Sequence, residues 1–358
     1  MLYHLLLSFQ SEYSWLNVFR YTTFRAMLAF FLSFTFVLFF QPIFIRYLQK
    51  VGHKGQPIRE NGPKSHEVKK GTPTMGGLVV VAAVAVSTLL LSDLSNKYIW
   101  LCICILIGFG ILGYVDDSRK VFKQNPKGIS GPTKLFWQTS MAVAVAVVLL
   151  NLGFSSELHF PFLKDLSWQL GIFFVPFVVL VIVGASNAVN LTDGLDGLAI
   201  GPIMTVAVTY SIFAYLGGRE DFASYLGIPH IAGTGELTIF LSAIFAAGLG
   251  FLWYNTFPAQ VFMGDIGALS LGAVLGLVSI IVKHELVLII TGGIFVMEAV
   301  SVIVQRYYFK LTKKRIFRMA PIHHHFELKG WVEPKIIVRF WIISIVLAFI
   351  SLTTLKLR

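Results

Sequence analysis

The sequence predicts an all-α, polytopic integral membrane protein, and three observations carry that prediction. Hydrophobic residues make up 56% of the 358-residue chain. Charged residues make up only 13%, about half the share usual in soluble domains. Apolar runs near the ~20 residues a helix needs to cross a bilayer recur along the whole length. The mean hydropathy of +0.75 agrees. A single transmembrane domain, residues 1–358, accounts for the chain, since neither an internal repeat nor a separate soluble domain is evident. The 32 Phe and 7 Trp fit lipid-facing surfaces and interfacial belts.

Taken in order, the apolar runs predict about ten spans. Met1–Tyr21 reads as a loosely amphipathic segment at the interface, without the basic leader or cleavage pattern of a signal peptide. The first half of the set is Ala26–Tyr47, Thr74–Leu91, Tyr98–Val115, Leu135–Leu152 and Trp168–Ala185. The second half is Leu198–Leu216, Leu237–Phe257, Ile266–Val282, Leu286–Phe309 and Ile336–Leu355. Thr74–Leu91 and Ile266–Val282 are short, which predicts tilt or local accommodation by the bilayer. Cys102 and Cys104 stand two apart inside an apolar run. On a helix they point to different sides, so they read as small packing residues and not as a disulfide or metal pair.

Basic residues give the orientation. The net charge is +11. In a soluble protein that would raise nucleic acid, but here it reads as the positive-inside bias of cytoplasmic loops, with no nucleic-acid partner. Of the 29 Lys and Arg, 21 fall in three clusters on one side of a ten-span chain. They run over Arg46–Lys70, Arg119–Lys134 and Arg306–Arg339. That side is predicted to be cytoplasmic, with both termini outside, in the periplasm. The polar chemistry sorts to the same side. A transporter would gather such groups near the bilayer midplane, so the distribution favours a site at the cytoplasmic rim.

Five stretches carry that chemistry. Lys69 to Gly77 reads K-K-G-T-P-T-M-G-G. Lys69, Lys70 and Thr74 are suited to phosphate, although Pro73 and the lysines also read as an ordinary basic flank and helix start. The run Gly113 to Lys120 contains Asp116 and Asp117. Adjacent carboxylates repel, need a cation or basic neighbours, and oppose the helix dipole at a C-terminus. They do not share a helix face, so different roles are expected of them.

Asn187 to Gly197 reads N-A-V-N-L-T-D-G-L-D-G, an acidic, glycine-bearing loop between two spans. Asn187, Asn190, Asp193 and Asp196 recur every third residue, and neighbouring pairs at that spacing share a helix face. The stretch suits a Mg²⁺-linked or nucleotide-linked ligand, but helix caps and turns use the same residues. Asn255 to Gly267 ends F-M-G-D-I-G. Asp265 there is a helix cap or a monodentate Mg²⁺ ligand, and Phe262 can stack on a base or pack against lipid. Pro321 to Trp331 reads P-I-H-H-H-F-E-L-K-G-W. Consecutive histidines point about 100° apart on a helix, which is not a zinc site. Among so many basic residues they suit phosphate or sugar. Glu298 and Gln305 fall inside the ninth span, where an ionisable residue is a functional candidate or a partner within the bundle.

These stretches, in this order between the spans, closely resemble the polyprenyl-phosphate N-acetylhexosamine-1-phosphate transferases. The histidine segment with E-L-K-G-W after it resembles their muramoyl-pentapeptide branch. The resemblance covers essentially the whole chain. It implies a Mg²⁺-dependent transfer of phospho-N-acetylmuramoyl-pentapeptide from UDP-MurNAc-pentapeptide to undecaprenyl phosphate. The products are lipid I and UMP, and the place is the bacterial cytoplasmic (inner) membrane. Residue by residue, it implies Asp265 as the metal ligand, with Asp116, Asp117, Asp265 and His323 catalytic. Lys69, Lys70, Thr74, Asn187, Asn190, Asp193, Asp196, Asn255, Phe262, Gln305, His324 and His325 would bind substrate. The partners are the two substrates and membrane lipid, and the family suggests a homodimer. Direct attack by the lipid phosphate is expected, with an aspartyl-phosphate route as the alternative. The rival readings are a sibling N-acetylglucosamine-1-phosphate transferase and a lipid transporter without chemistry.

Overall fold

Helices follow each predicted span in a computed structural model that describes residues 1–50, 69, 71–122, 128–163 and 166–356. Lys70, Lys123, Lys127 and much of the first basic cluster, with Lys54, Arg59 and Lys64, lie outside the described residues. The chain opens with a short helix α1 (Leu2–Ser8) and a 3-10 turn, then α2 (Thr22–Lys50), α3 (Gly77–Leu91), α4 (Lys97–Phe122) and α5 (Gly131–Asn151). A hairpin of β1 (Glu157–His159) and β2 (Ser167–Gln169) leads to α6 (Phe174–Thr192) and α7 (Ile200–Gly217). There follow α8 (Glu220–Leu226), α9 (Leu237–Asn255), α10 (Gly264–Ile281), α11 (Val287–Thr291), α12 (Gly293–Thr312), α13 (Ile322–Glu327) and α14 (Glu333–Thr353).

Among the described residues, eight helices are long and apolar enough to cross a membrane. Of the other predicted spans, α3 has 15 residues, and α12 carries Glu298, Arg306 and Lys310 along its length. The chain is therefore a multi-pass membrane protein, all-α among the described residues apart from one short hairpin.

Two boundaries differ from the sequence reading for local reasons. Trp168 does not begin a span. It pairs with Leu158 in the hairpin, and the helix starts at Phe174 and runs on through Asn187 and Asn190 to Thr192. The first half of the acidic stretch is thus helix end, and only Asp193 onward is turn. The ninth span is broken at Gly292, between α11 and α12.

The centre of the molecule is α10, every residue of which is buried. Its small residues let neighbours approach backbone to backbone, the usual device where helices pack within a membrane. Gly77 of α3 lies against the Gly267 backbone, and Gly276 lies against Val181 and Ile182 of α6. Ser186 of α6 adds a 2.9 Å hydrogen bond to the Leu269 carbonyl. The result is a fixed cluster of helix ends: α4, α6 and α9 finish where α10 and α14 begin. At the other end of α9, Arg25 and Glu236 form a two-pronged ion pair at 2.6 and 2.7 Å.

Candidate active site

Three carboxylates meet where α4 ends and α10 begins. Asp116, Asp117 and Asp265 each offer an oxygen within 4.8 Å of the others. The two adjacent aspartates are held differently. The Ile129 amide donates to Asp116 Oδ1 at 2.5 Å, which ties Asp116 to the start of α5. The Ile266 amide donates to Asp117 Oδ2 at 3.3 Å, which turns Asp117 toward α10. Asn190, on the last turns of α6, donates to Asp265 Oδ1 at 2.9 Å.

Among the described residues, two ammonium groups offset the three carboxylates in part. Lys120 Nζ lies 2.6 Å from Asp116 Oδ2, 3.1 Å from Asp265 Oδ2 and 3.8 Å from Asp117 Oδ1. Lys134 Nζ lies 2.8 Å from Asp265 Oδ2. The basic cluster was legible in the sequence, but not that these two lysines enter the site. The signal was there: Lys120 stands four residues after Asp116 and three after Asp117, the spacing of neighbours on a helix surface. The donor set also fits a hard divalent cation, because it is all oxygen. Asp117 Oδ1 is buried without a hydrogen-bond partner, an atom for which a cation would provide the missing partner.

The loop that brings Thr74 to this centre is fastened to the segment before α10. Phe262 donates its amide to the Pro73 carbonyl at 2.9 Å, and Gly76 and Gly77 return bonds of the same length to Phe262 and Met263. Gly264, at φ +73, leaves room for the Asp117 carboxylate and the Thr74 hydroxyl to lie side by side. Two sequence stretches thus form one wall.

A second charged group lies beyond α6. Lys69 Nζ reaches Asp196 at 2.7 Å and Glu333, the first residue of α14, at 2.6 Å. Glu333 also accepts from the Asp196 amide at 2.8 Å, and Asp196 accepts from the Ala259 amide at 3.0 Å. Glu333 was missed in the sequence because it sits 137 residues from Asp196, and no local spacing connects them. Asn255 receives the Gly197 amide at 3.0 Å and donates to the Val261 carbonyl at 2.8 Å, so it fixes both loops. Asp193 lies between the two groups. Desolvation by the surrounding protein, followed by the charges of Asp265 and Asp196, pushes its carboxyl up to about 7.

The three histidines diverge, as their helical spacing requires. His323 is buried, its Nδ1 3.1 Å from Glu298 Oε1. His324 Nδ1 meets Glu327 at 2.6 Å. His325 Nδ1 accepts the Arg318 amide at 3.0 Å. Desolvation and the nearby Lys329 and Arg318 charges lower the pKa of His325. Two other candidates are engaged outside the carboxylate centre. Gln305 holds the 316–317 backbone through three 3.0 Å hydrogen bonds. Asn187 donates to Gln138 at 2.8 Å.

Chemically, the site can bind a cation through carboxylates and accept phosphate through ammonium groups, side by side at the end of a bundle. The comparisons agree with that chemistry. The family model described as "Glycosyl transferase family 4" matches residues 98–283. The "Phospho-N-acetylmuramoyl-pentapeptide-transferase signature 1" matches residues 69–81, the segment with Lys69 and Thr74. The chain is 54% identical over 359 residues to a phospho-N-acetylmuramoyl-pentapeptide-transferase of Citrifermentans bemidjiense, covering 100% of both chains. It is 54% identical over 360 residues to one of Syntrophus aciditrophicus, and 53% identical over 359 residues to one of Pelobacter propionicus. Each of these is likewise covered in full.

Proposed function

The chain belongs to the phospho-N-acetylmuramoyl-pentapeptide-transferase family, and from that premise we propose how its residues carry out the transfer. The protein is an enzyme of lipid I synthesis that joins a nucleotide-linked sugar peptide to a polyprenyl phosphate. In our reading the donor is UDP-MurNAc-pentapeptide and the acceptor is undecaprenyl phosphate. The membrane is the bacterial inner membrane, with the carboxylate centre at its cytoplasmic face. The single observation that carries this reading is the meeting of Asp116, Asp117 and Asp265 within 4.8 Å, flanked by Lys120 and Lys134.

The physical problem is charge. The second pKa of a phosphate monoester is about 6, so the lipid phosphate is mostly a dianion at neutral pH and already a nucleophile. One of its oxygens attacks the phosphorus that bears the sugar, and the bond to the UMP oxygen breaks. UMP leaves with the electron pair. The obstacle is the approach of two anions. Asp265 heads the ligand set for Mg²⁺, with Asp116 and Asp117 beside it. The ion, when bound, neutralises and aligns the phosphates. Lys120 and Lys134, beside the carboxylates, would supply donors to the phosphoryl oxygens.

Lys69, Thr74, Asn190, Asp193, Asp196 and Asn255 shape the nucleotide side, with Phe262 placed to stack on the base. His323, His324 and His325 border the sugar-peptide side. The test is UMP release by the purified protein with undecaprenyl phosphate and Mg²⁺, comparing UDP-MurNAc-pentapeptide with UDP-N-acetylglucosamine. Release with the muramoyl donor alone is expected. Release with the glucosamine donor alone would move the chain to the sibling branch. A phospho-aspartate trapped from the UDP donor before lipid is added would replace direct attack by a two-step route.

A further inference from the structure

Glu298 lies in the first half of α12. It is 0% exposed. A buried ionisable group in a membrane bundle needs a partner or a function. Among the described residues its ion-pair partner is His323, at 3.1 Å from Oε1 to Nδ1. His323 is equally enclosed, at 0% exposure. The pairing crosses from α12 to α13.

The pair is unfinished in a specific way. Both carboxylate oxygens of Glu298 and both ring nitrogens of His323 are buried without an aligned hydrogen bond. Native structures leave few such atoms, and a cluster of them marks a place where something else is to be satisfied. Hydrogen bonds between catalytic groups are often misaligned before substrate binds, and tighten in the complex.

The far side of the imidazole shows what that something faces. His323 Nε2 is directed at Gly194, so closely that any side chain there would overlap the ring. Gly194 is part of the turn between Asp193 and Asp196. The imidazole is therefore a strut with two ends. One end rests on Glu298, inside the bundle. The other presses on the turn that carries two of the site carboxylates.

We propose that Glu298 is a positioning residue that fixes the orientation of His323, and with it the proton-bearing ring nitrogen. Glu298 faces Nδ1 as an acceptor, so the proton resides on Nδ1 and Nε2 carries the lone pair toward the Asp193–Asp196 turn. Held in that orientation, the ring supports the turn through its contact at Gly194, and so sets the place where a substrate group is received. The inference rests on the proposed role of His323 in the transfer, and the experiment separates the two.

UMP release is measured for Glu298→Ala, Glu298→Gln, His323→Ala and the double variant Glu298→Ala/His323→Ala. The expected loss in kcat is about 10- to 100-fold for Glu298→Ala, the scale of a misplaced catalytic group, with KM for both substrates nearly unchanged. The double variant should be no slower than His323→Ala, because Glu298 acts only through the ring. Glu298→Gln keeps an acceptor oxygen and should recover most of kcat. Nitrogen-15 spectra of labelled imidazole should show His323 protonated on Nδ1 in the native protein and in Glu298→Gln, and a mixture of tautomers in Glu298→Ala. Multiplicative losses in the double variant, or an unchanged tautomer in Glu298→Ala, would overturn the proposal. Full activity in His323→Ala would instead remove the role of His323 itself. Loss in His323→Ala beside full activity in Glu298→Ala would remove Glu298 alone.

Discussion

Gly194 and His323 are in direct contact across the site, with the Gly194 α-carbon set against imidazole Nε2. The contact leaves no room for even a methyl group. Gly194→Ala must therefore move either the ring or the turn holding Asp193 and Asp196. Displacement of about 1 Å in a catalytic array can cost ~100-fold in rate. We expect kcat for UMP release to fall by one to two orders of magnitude, about 10- to 100-fold, while the protein still folds and extracts normally. Wild-type kcat in a folded Gly194→Ala protein would show that the contact does no catalytic work.

Metal removal tests the carboxylate centre. Chelation should abolish UMP release and added Mg²⁺ should restore it. Asp265→Asn and Asp117→Asn should each lower kcat by about 100-fold or more, the scale of losing a group that stabilises transition-state charge. Unimpaired turnover in excess chelator would remove the cation from the reading.

Lys120 stands within ion-pair reach of all three aspartates. In the absence of metal it offsets their mutual repulsion. Among the described residues, Lys120→Met leaves Lys134 alone against three carboxylates. The variant should melt at a lower temperature than the native protein in chelator. Mg²⁺ should then raise its melting point by more than it raises that of the native protein, because a ligand that binds the folded state stabilises it. An equal or smaller gain would show that cation and ammonium do not share the space.

Asp193 gives a pH dependence with a definite sign. Its folded pKa is raised to about 7, against about 3.9 for an unfolded aspartate. Between those values the folded chain binds the proton and the unfolded chain does not. Stability therefore falls as pH rises from about 4 to about 7, then levels off. Asp193→Asn removes this slope. Melting temperatures measured from pH 5 to 8 should show the variant gaining on the native protein as pH rises through that window. Parallel curves would contradict the assigned shift.

The helices and the pieces of the site were legible in the sequence, and their assembly was not. Apolar runs locate helices because burial in lipid requires length and composition, both of which are local. Asp116, Asp117 and Asp265 stood out for the same local reason, as charges at the edges of apolar runs. The partners of those charges are not local. Lys134 reaches Asp265 across 131 positions, and Lys69 reaches Glu333 across 264. Trp168 misled because an aromatic residue beside an apolar run reads as span, although here it closes a hairpin against Leu158. Gln305 also holds the backbone at 316–317, and that loop has no pattern that announces a need for amide partners.

The Arg25–Glu236 pair should govern stability without touching the chemistry. It lies at the far end of α9 from the carboxylate centre, and Arg25 is only 2% exposed. Both guanidinium arms engage Glu236 at 2.7 and 2.6 Å, and a third bond reaches the Leu91 carbonyl at 3.2 Å. The ring of Tyr3 lies 4.1 Å from the guanidinium carbon. Glu236 in turn caps the Asp93 amide at 2.9 Å. The pair therefore joins α1, α2, the α3–α4 turn and the start of α9. Removing one partner of such a buried pair costs about 3–5 kcal/mol, chiefly by stranding the other. Arg25→Met should lower the melting temperature sharply, and Arg25→Met/Glu236→Met should recover much of the loss, since no bare charge remains. At temperatures where both variants stay folded, UMP release should match the native rate. A double variant no more stable than Arg25→Met would show that the ion pair itself, and not the avoidance of a stranded charge, holds this end of the bundle.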